Sequence, residues 1–208
     1  MAEAFFAAIR PLFGGKLKQA QVDGLNAILA ATSTLPRSYR AYILATAYHE
    51  TAHTMQPIRE YGKGKGRKYG VIDQTGKAPY GRGYVQLTWR DNYLRADREL
   101  GLGGRLAADY DLALDPAISA QILVEGMLDG WFTGGALKDY LPGDYVGARR
   151  IVNGTDRAQQ IAGYAAAFEA ALVAGGDPVG VASPDPFATP GWLAAILAFF
   201  QSIFRKGA

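Results

Sequence analysis

Between Tyr61 and Gly83 the chain is too rich in glycine and lysine to hold a helix, and a short hairpin around Tyr69 to Ile72 is the most regular structure expected there. The segments before it carry apolar residues at helical spacing, and helix ends are legible well beyond it. A connection this long without its own structure is uncommon in a compact domain, where it either serves a function or moves freely. The chain therefore reads as a helical body interrupted by one long excursion. Within that excursion Lys63-Gly64-Lys65-Gly66-Arg67-Lys68 is the one clear positive cluster, and it reads as a solvated, mobile loop.

The helical segments have recognisable ends. Residues 18–31 place Ala20, Leu25, Ile28 and Leu29 near helical spacing, and residues 38–54 place Leu44, Ala47, Tyr48 and Thr51 on one stripe. Ser38 is the expected N-cap of the second helix, and Pro57 forbids much continuation past Met55. Downstream, Asp115-Pro116 is a helix start, an acceptor side chain followed by proline at the first helical position. That helix runs towards Trp131 and stops before Gly134-Gly135. A last helix starts near Thr155 or Asp156, continues through the alanine-rich stretch 158–174 and ends at Gly175-Gly176.

The composition changes after that. Residues 1–176 read as one domain, and 177–191, with Asp177-Pro178, Ser183-Pro184, Asp185-Pro186 and Thr189-Pro190, as a semi-rigid extended linker. Residues 192–208 read as an apolar helix with Arg205-Lys206 near its end. A helix over 192–204 spans roughly 20 Å against about 30 Å of bilayer hydrocarbon, so it is too short to cross. It can lie in a membrane interface over 192–206, or fold back on the domain.

Cysteine is absent, which excludes a disulfide framework, a thiol nucleophile and thiolate metal sites, and fits a reducing compartment. The net charge of +3 and pI of about 9.0 favour anionic partners without choosing one. No RNA- or DNA-binding motif surrounds the basic cluster, so no nucleic-acid partner is expected. The N-terminus carries Glu3 where a signal peptide has its positive region, and its apolar run stops at Arg10-Pro11, so no signal peptide is expected.

Two chemistries compete for His49-Glu50-Thr51-Ala52-His53, which contains both histidines of the chain. It matches H-E-x-x-H, in which two histidines one helical turn apart grip zinc and the glutamate activates water. A third ligand would have to be a carboxylate, with Glu60 the candidate by elimination. The alternative is glycoside hydrolysis by paired carboxylates, one donating a proton to the leaving oxygen and the other activating water; inverting enzymes hold the two ~6.5–9.5 Å apart. Glu50, near the end of a helix with one buried face, suits the acid. Glu60, beside Arg59 at the entrance to a polar loop, suits the base. Spacing alone leaves both chemistries open.

Further along, Tyr80-Gly81-Arg82-Gly83-Tyr84-Val85-Gln86-Leu87-Thr88 is followed by Trp89-Arg90-Asp91-Asn92-Tyr93. This stretch resembles the signature of the family-19 glycoside hydrolases, the chitinase and phage-lysozyme group. His49-Glu50-Thr51 and Arg59-Glu60 stand where that family has its general acid and base. Asp115-Pro116, Gly126-Met127 and Gly130-Trp131-Phe132-Thr133-Gly134 are similar to its phage branch, and Ile151-Val152-Asn153-Gly154 to an Asn-Gly element that lines the cleft. The resemblance covers roughly residues 20–175.

It implies a mainly α, lysozyme-like domain of two lobes around a central cleft, with at most a small β-hairpin and with no metal or cofactor. Glu50 would be the acid, Glu60 the base, and Thr88 would help hold the attacking water. Gln86, Asn92 and Asn153 would hydrogen-bond sugar hydroxyls and acetamido groups. Tyr80 and Tyr93 would line the groove, with His49 beside the acid. Arg82 would hold the loop through an ion pair, and His53 would pack or hydrogen-bond one helical turn from Glu50. The implied function is that of an endolysin. Such a protein is a monomer made in the host bacterial cytoplasm, which after release cuts the β-1,4 bonds of peptidoglycan glycan strands by inversion. Chitin is the rival substrate, and the zinc peptidase remains the rival chemistry. Thr155 and Gln160 depart from the chitinase branch, which has a second glycine and a basic residue at those places; this bears on distal subsites rather than on the carboxylate pair.

Overall fold

The computed structural model describes residues 2–177; the linker expected after Asp177 and the helix over 192–208 lie outside them. The fold is built on α3 (Arg37–Glu50), in which every residue from Ala41 to Tyr48 is buried. One apolar stripe was the expectation, but the helix is covered on all sides, as a helix of this kind must be to be stable. Helix α7 (Ala158–Ala174) packs along it most extensively, and α2 (Gln19–Ala31) and α6 (Pro116–Leu128) also pack against it. Helix α1 (Ala2–Ile9) lies on α7 and sends Phe5 and Ile9 into the core, so the N-terminal segment belongs to the helical body.

The second lobe gathers around a two-stranded antiparallel hairpin. Strand β1 (Ile58–Arg59) pairs with β2 (Arg82–Gly83), with Ile58 opposite Gly83 and Arg59 opposite Arg82. Packed with it are a 3-10 turn over residues 110–114, α4 (Arg90–Glu99) and the short α5 (Arg105–Ala108). The hairpin expected at Tyr69 to Ile72 is absent, and Tyr69 sits in a 3-10 turn over residues 68–70. Helix α4, which the sequence did not suggest, turns Tyr93, Ala96 and Asp97 inward. The buried Asp97 carboxylate accepts hydrogen bonds from the backbone N–H groups of Gly104, Leu106 and Ala107, and so caps α5.

The predicted helix ends compare unevenly with the structure. The Asp115 side chain accepts from Ala117 and Ile118 at 2.9 and 3.0 Å, so it caps α6 as its Asp-Pro pair predicts, but the helix ends at Leu128, short of Trp131. Helix α7 ends before Gly175-Gly176 as expected. Pro36, rather than Ser38, holds the N-cap position of α3.

Helix α3 also stops at Glu50 rather than running to residue 54. His53 N–H donates to the Tyr48 carbonyl at 2.8 Å and Ala52 N–H to the His49 carbonyl at 3.1 Å, with Ala52 in the left-handed region at φ 48°. This is a Schellman cap, whose left-handed position glycine usually fills. The His53 ring lies flat on Tyr48, 4.0 Å between centroids, in the cross-cap contact that accompanies this motif. Ala52→Gly is expected to raise unfolding stability by about 1 kcal/mol, because glycine has no Cβ penalty there; urea denaturation measures it. Thr51 reinforces the stop, donating to the Ala47 carbonyl and accepting from Met55 N–H. Helix α2 touches this segment so closely that a Cβ on Gly24 would lie 1.6 Å from the Met55 carbonyl oxygen.

The long excursion is a succession of hydrogen-bonded turns. Lys63, Lys65 and Arg67 donate backbone N–H groups to the carbonyls of Glu60, Gly62 and Gly64 at 2.9–3.0 Å, and Gly70 donates to that of Arg67 at 3.0 Å. Farther along, Tyr110 donates to Asp73, and Lys77 bridges Asp109 and Asp111 at 2.5 and 2.9 Å. Asp111 also takes Arg59 at 3.2 Å and Arg82 at 2.7 Å. Burial alone would raise Asp111, but hydrogen bonds from Lys77, Arg82 and Arg59 outweigh it and hold its carboxyl well below the usual carboxylate range.

Candidate active site

A cleft of about 500 Å³ opens where the end of α3, the hairpin lobe and the segment around Val152 meet. Glu50 and Glu60 both line it, together with Gln86, Thr88, Asn92 and Asn153. The polar residues that the sequence singles out around the two glutamates thus come together, apart from His49, Tyr80 and Tyr93.

Glu50 reaches the cleft because α3 ends there. Its Oε1 accepts a 2.7 Å hydrogen bond from Arg149, whose side chain is only 3% exposed and whose Nε donates to the Asp156 carbonyl at 3.0 Å. A charged guanidinium fixed at one end to backbone orients the carboxylate and, among the described residues, leaves Oε2 as its unengaged oxygen. Arg149 sits on a 3-10 turn over residues 147–151, 99 positions away, and no local pattern pointed to it.

Glu60 comes from the other lobe. Its backbone N–H donates to the Gly81 carbonyl at 2.8 Å, extending the hairpin by one rung. Its Oε2 accepts from Gly81 N–H at 3.2 Å and its Oε1 from the Tyr69 hydroxyl at 3.3 Å. Partial burial, then the charge and hydrogen bond of Glu60, push the Tyr69 hydroxyl above its ordinary value, so it stays protonated and donating. Tyr69 lines the cleft with Trp89, against whose ring it stands edge-on at 5.3 Å. Trp89 is 48% exposed and held at φ 74°, a conformation that costs a bulky residue of order 1–3 kcal/mol. Neither aromatic was anticipated.

The Tyr80 to Tyr93 stretch owes much of its pattern to architecture. Arg82 and Leu87 exchange backbone hydrogen bonds across a tight turn in which Gly83 has φ 85° and would meet Ser119 Oγ at 2.7 Å if it carried a Cβ. Arg82 is 1% exposed; besides Asp111 it bonds the carbonyls of Ala78 and Tyr80 at 3.0 Å, so it fastens the loop as expected. Tyr80 and Tyr93 do not line the groove: Arg82 stacks 3.7 Å over the Tyr80 ring, and Tyr93 is fully buried, its hydroxyl donating to the Tyr80 carbonyl at 2.7 Å. The Gln86 amide nitrogen donates to the carbonyls of Ile58 and Gly83, which leaves its oxygen for the cleft. Asn92 donates to the Thr88 carbonyl at 2.8 Å, whereas the Asn153 amide has no partner among the described residues. The Thr88 hydroxyl donates to the Gln86 carbonyl at 2.7 Å, so its lone pairs remain to accept.

The histidines take other places. His49 does not line the cleft; burial, with Arg149, His53 and Arg157 nearby, holds its imidazole below the ordinary value against the opposing pull of Glu50. Because α3 breaks at Glu50, His53 does not follow one helical turn on from His49, and its ring is committed to Tyr48. Among the described residues no three His, Cys, Asp or Glu side chains are grouped as metal ligands. The H-E-x-x-H pattern is here a helix cap.

No family model and no curated protein matches the chain. Chitinase C from Streptomyces griseus HUT6037 is similar in structure, with a TM-score of 0.56 and 22% identity, over 84% of this chain and 77% of that one. A mutant chitinase C aligns over 84% of this chain and 93% of its own, with 21% identity and a TM-score of 0.47. The first likeness shows the fold: a mainly helical, lysozyme-like domain with a small hairpin, of the kind seen in chitinase C.

Proposed function

We propose that this protein hydrolyses β-1,4 glycosidic bonds of an N-acetylglucosamine-containing polymer, and that the polymer is peptidoglycan. The observation that carries the reading is the presence of Glu50 and Glu60 in one cleft, each held by a different lobe, with amide and hydroxyl side chains around them. Glu50, its Oε1 held by Arg149, gives a proton from Oε2 to the bridging oxygen as the bond from C1 to that oxygen breaks. Water adds to C1, one of its protons passing to Glu60 while the other is directed to the Thr88 oxygen. Both sugars leave as free hydroxyls, the new reducing end has inverted configuration, and the carboxyl pair resets by exchange with solvent. Asn92, Asn153 and the Gln86 oxygen match the donors and acceptors of N-acetyl sugars.

The likeness to the phage branch at Gly126-Met127 and Gly130 to Gly134 supports an endolysin, which acts as a monomer on the wall after release from the host cytoplasm. Gly126 has a local reason as well: a Cβ there would lie 2.2 Å from the Phe132 ring, which lines the cleft. Chitin is the second reading, favoured by the structural likeness to chitinase C. Incubation with purified sacculi and with chitin separates them. The expected outcome is new reducing ends from sacculi, with mass spectrometry of the products giving muropeptides cut in the glycan. Peptides released without new reducing ends would sink the hydrolase reading, and a higher kcat/KM on chitin would transfer it to that polymer.

A further inference from the structure

Lys63, Lys65, Arg67 and Lys68 are all exposed, and they stand on a succession of turns whose backbone is hydrogen-bonded from Glu60 to Gly70. The turns close tightly: Gly64 is buried, and a Cβ on Gly70 would lie 1.9 Å from the Gly64 carbonyl oxygen. The ion pairs of this lobe engage Arg59, Lys77, Arg82, Arg90 and Arg98, whereas Lys63, Lys65, Arg67 and Lys68 join none among the described residues. The series also begins and ends at the cleft. Glu60 opens it, Tyr69 follows Lys68, and the two side chains are hydrogen-bonded to each other while lining the opening. Four positive charges without an ion pair among the described residues thus stand on the turns that link two cleft-lining residues, the first of them the carboxylate proposed as base.

This arrangement suits a polymer that carries negative charge next to the bond being cut. Chitin has none. Peptidoglycan carries the carboxylates of its stem peptides on alternate sugars of the strand. We infer that residues 63–68 form a recognition rim that takes stem-peptide carboxylates and thereby selects peptidoglycan over neutral N-acetylglucosamine polymers. The inference rests on the hydrolase reading above and names the feature of the chain that chooses its polymer.

The test compares the full-length protein with a variant carrying Lys63→Gln, Lys65→Gln, Arg67→Gln and Lys68→Gln, after circular dichroism and melting show that both are folded. Brief cold pulldowns use sacculi stripped of phosphate polymers, and the same sacculi with their carboxylates converted to neutral amides. The expected result is about tenfold weaker binding of the wild type to amidated sacculi, with a matching loss in added salt, because exposed charges act weakly one by one and are screened. The variant should bind both sacculi at that weaker level, and the two proteins should cleave neutral chitooligosaccharides alike. Variant binding to unmodified sacculi as tight as wild type would overturn the inference, as would wild-type indifference to amidation or preferential retention on a DNA duplex. The two readings fail separately. A wild type that produces no reducing ends from any glycan sinks the hydrolase reading, whereas glycan cleavage with charge-independent binding sinks the rim alone.

Discussion

Glu50→Gln is expected to lower kcat on sacculi by about 10²–10⁴-fold while leaving KM and melting temperature near wild type. The amide oxygen still accepts from Arg149, so the buried guanidinium keeps its partner and the local fold survives. What is lost is the proton for the leaving oxygen. Glu60→Gln should cost a similar factor, since an amide cannot take the proton of the attacking water. Substrates whose leaving group needs no protonation, such as nitrophenyl glycosides, tell the roles apart. They should recover much of the lost rate in the Glu50 variant and little in the Glu60 variant. The opposite pattern would exchange acid and base, and near wild-type lysis by either variant would remove the pair from the chemistry.

The largest effect on stability is expected from Arg82→Met. The side chain is 1% exposed and joins Asp111, two backbone carbonyls and the rings of Tyr80, Tyr93 and Tyr110; Asp111 would keep only the more exposed Lys77 and Arg59. Removing one member of a buried ionic network costs about 3–5 kcal/mol. For a domain of this size that lowers the melting temperature by roughly 10 °C. The loss also depends on pH. The Asp111 carboxyl is depressed in the folded protein, so its contribution is complete above the unfolded value of about 3.9 and fades as pH falls through the lower folded value. The gap between wild type and variant should therefore be widest near neutrality and narrow in acid. Urea unfolding across that range measures both.

What the sequence revealed and what it concealed divide along the reach of the forces involved. Asp115 and Pro116 announce α6 because a cap is made within three residues of itself. Helix α7 was legible for a similar reason, a long apolar period closed by two glycines. The end of α3 was not, because a left-handed alanine and a histidine laid on Tyr48 leave no glycine or proline signal at residue 51. Helix α4 was hidden by its charge; only Tyr93, Ala96 and Asp97 turn inward, and one of those is an acid. Tyr93 was misplaced for that same reason, since its position on the inward face of α4 carries it under Arg82 rather than into the groove. The two glutamates, Thr88 and the asparagines were singled out through the resemblance that surrounds them rather than through spacing, and they line one cleft. Arg149 could not, since its pairing with Glu50 is created by packing between distant segments.

The hydrogen bond from Tyr69 to Glu60 makes the excursion and the assigned base one mechanical unit. A lengthened or shortened loop would shift Tyr69 along the cleft and release Glu60 Oε1 in the same step. Exchanging this loop between related proteins to redirect polymer choice should then alter turnover too, unless the transplant runs from Glu60 through Tyr69 as a single cassette. The cassette boundaries are set by where the side chains meet, one residue before the loop opens and well short of its far end.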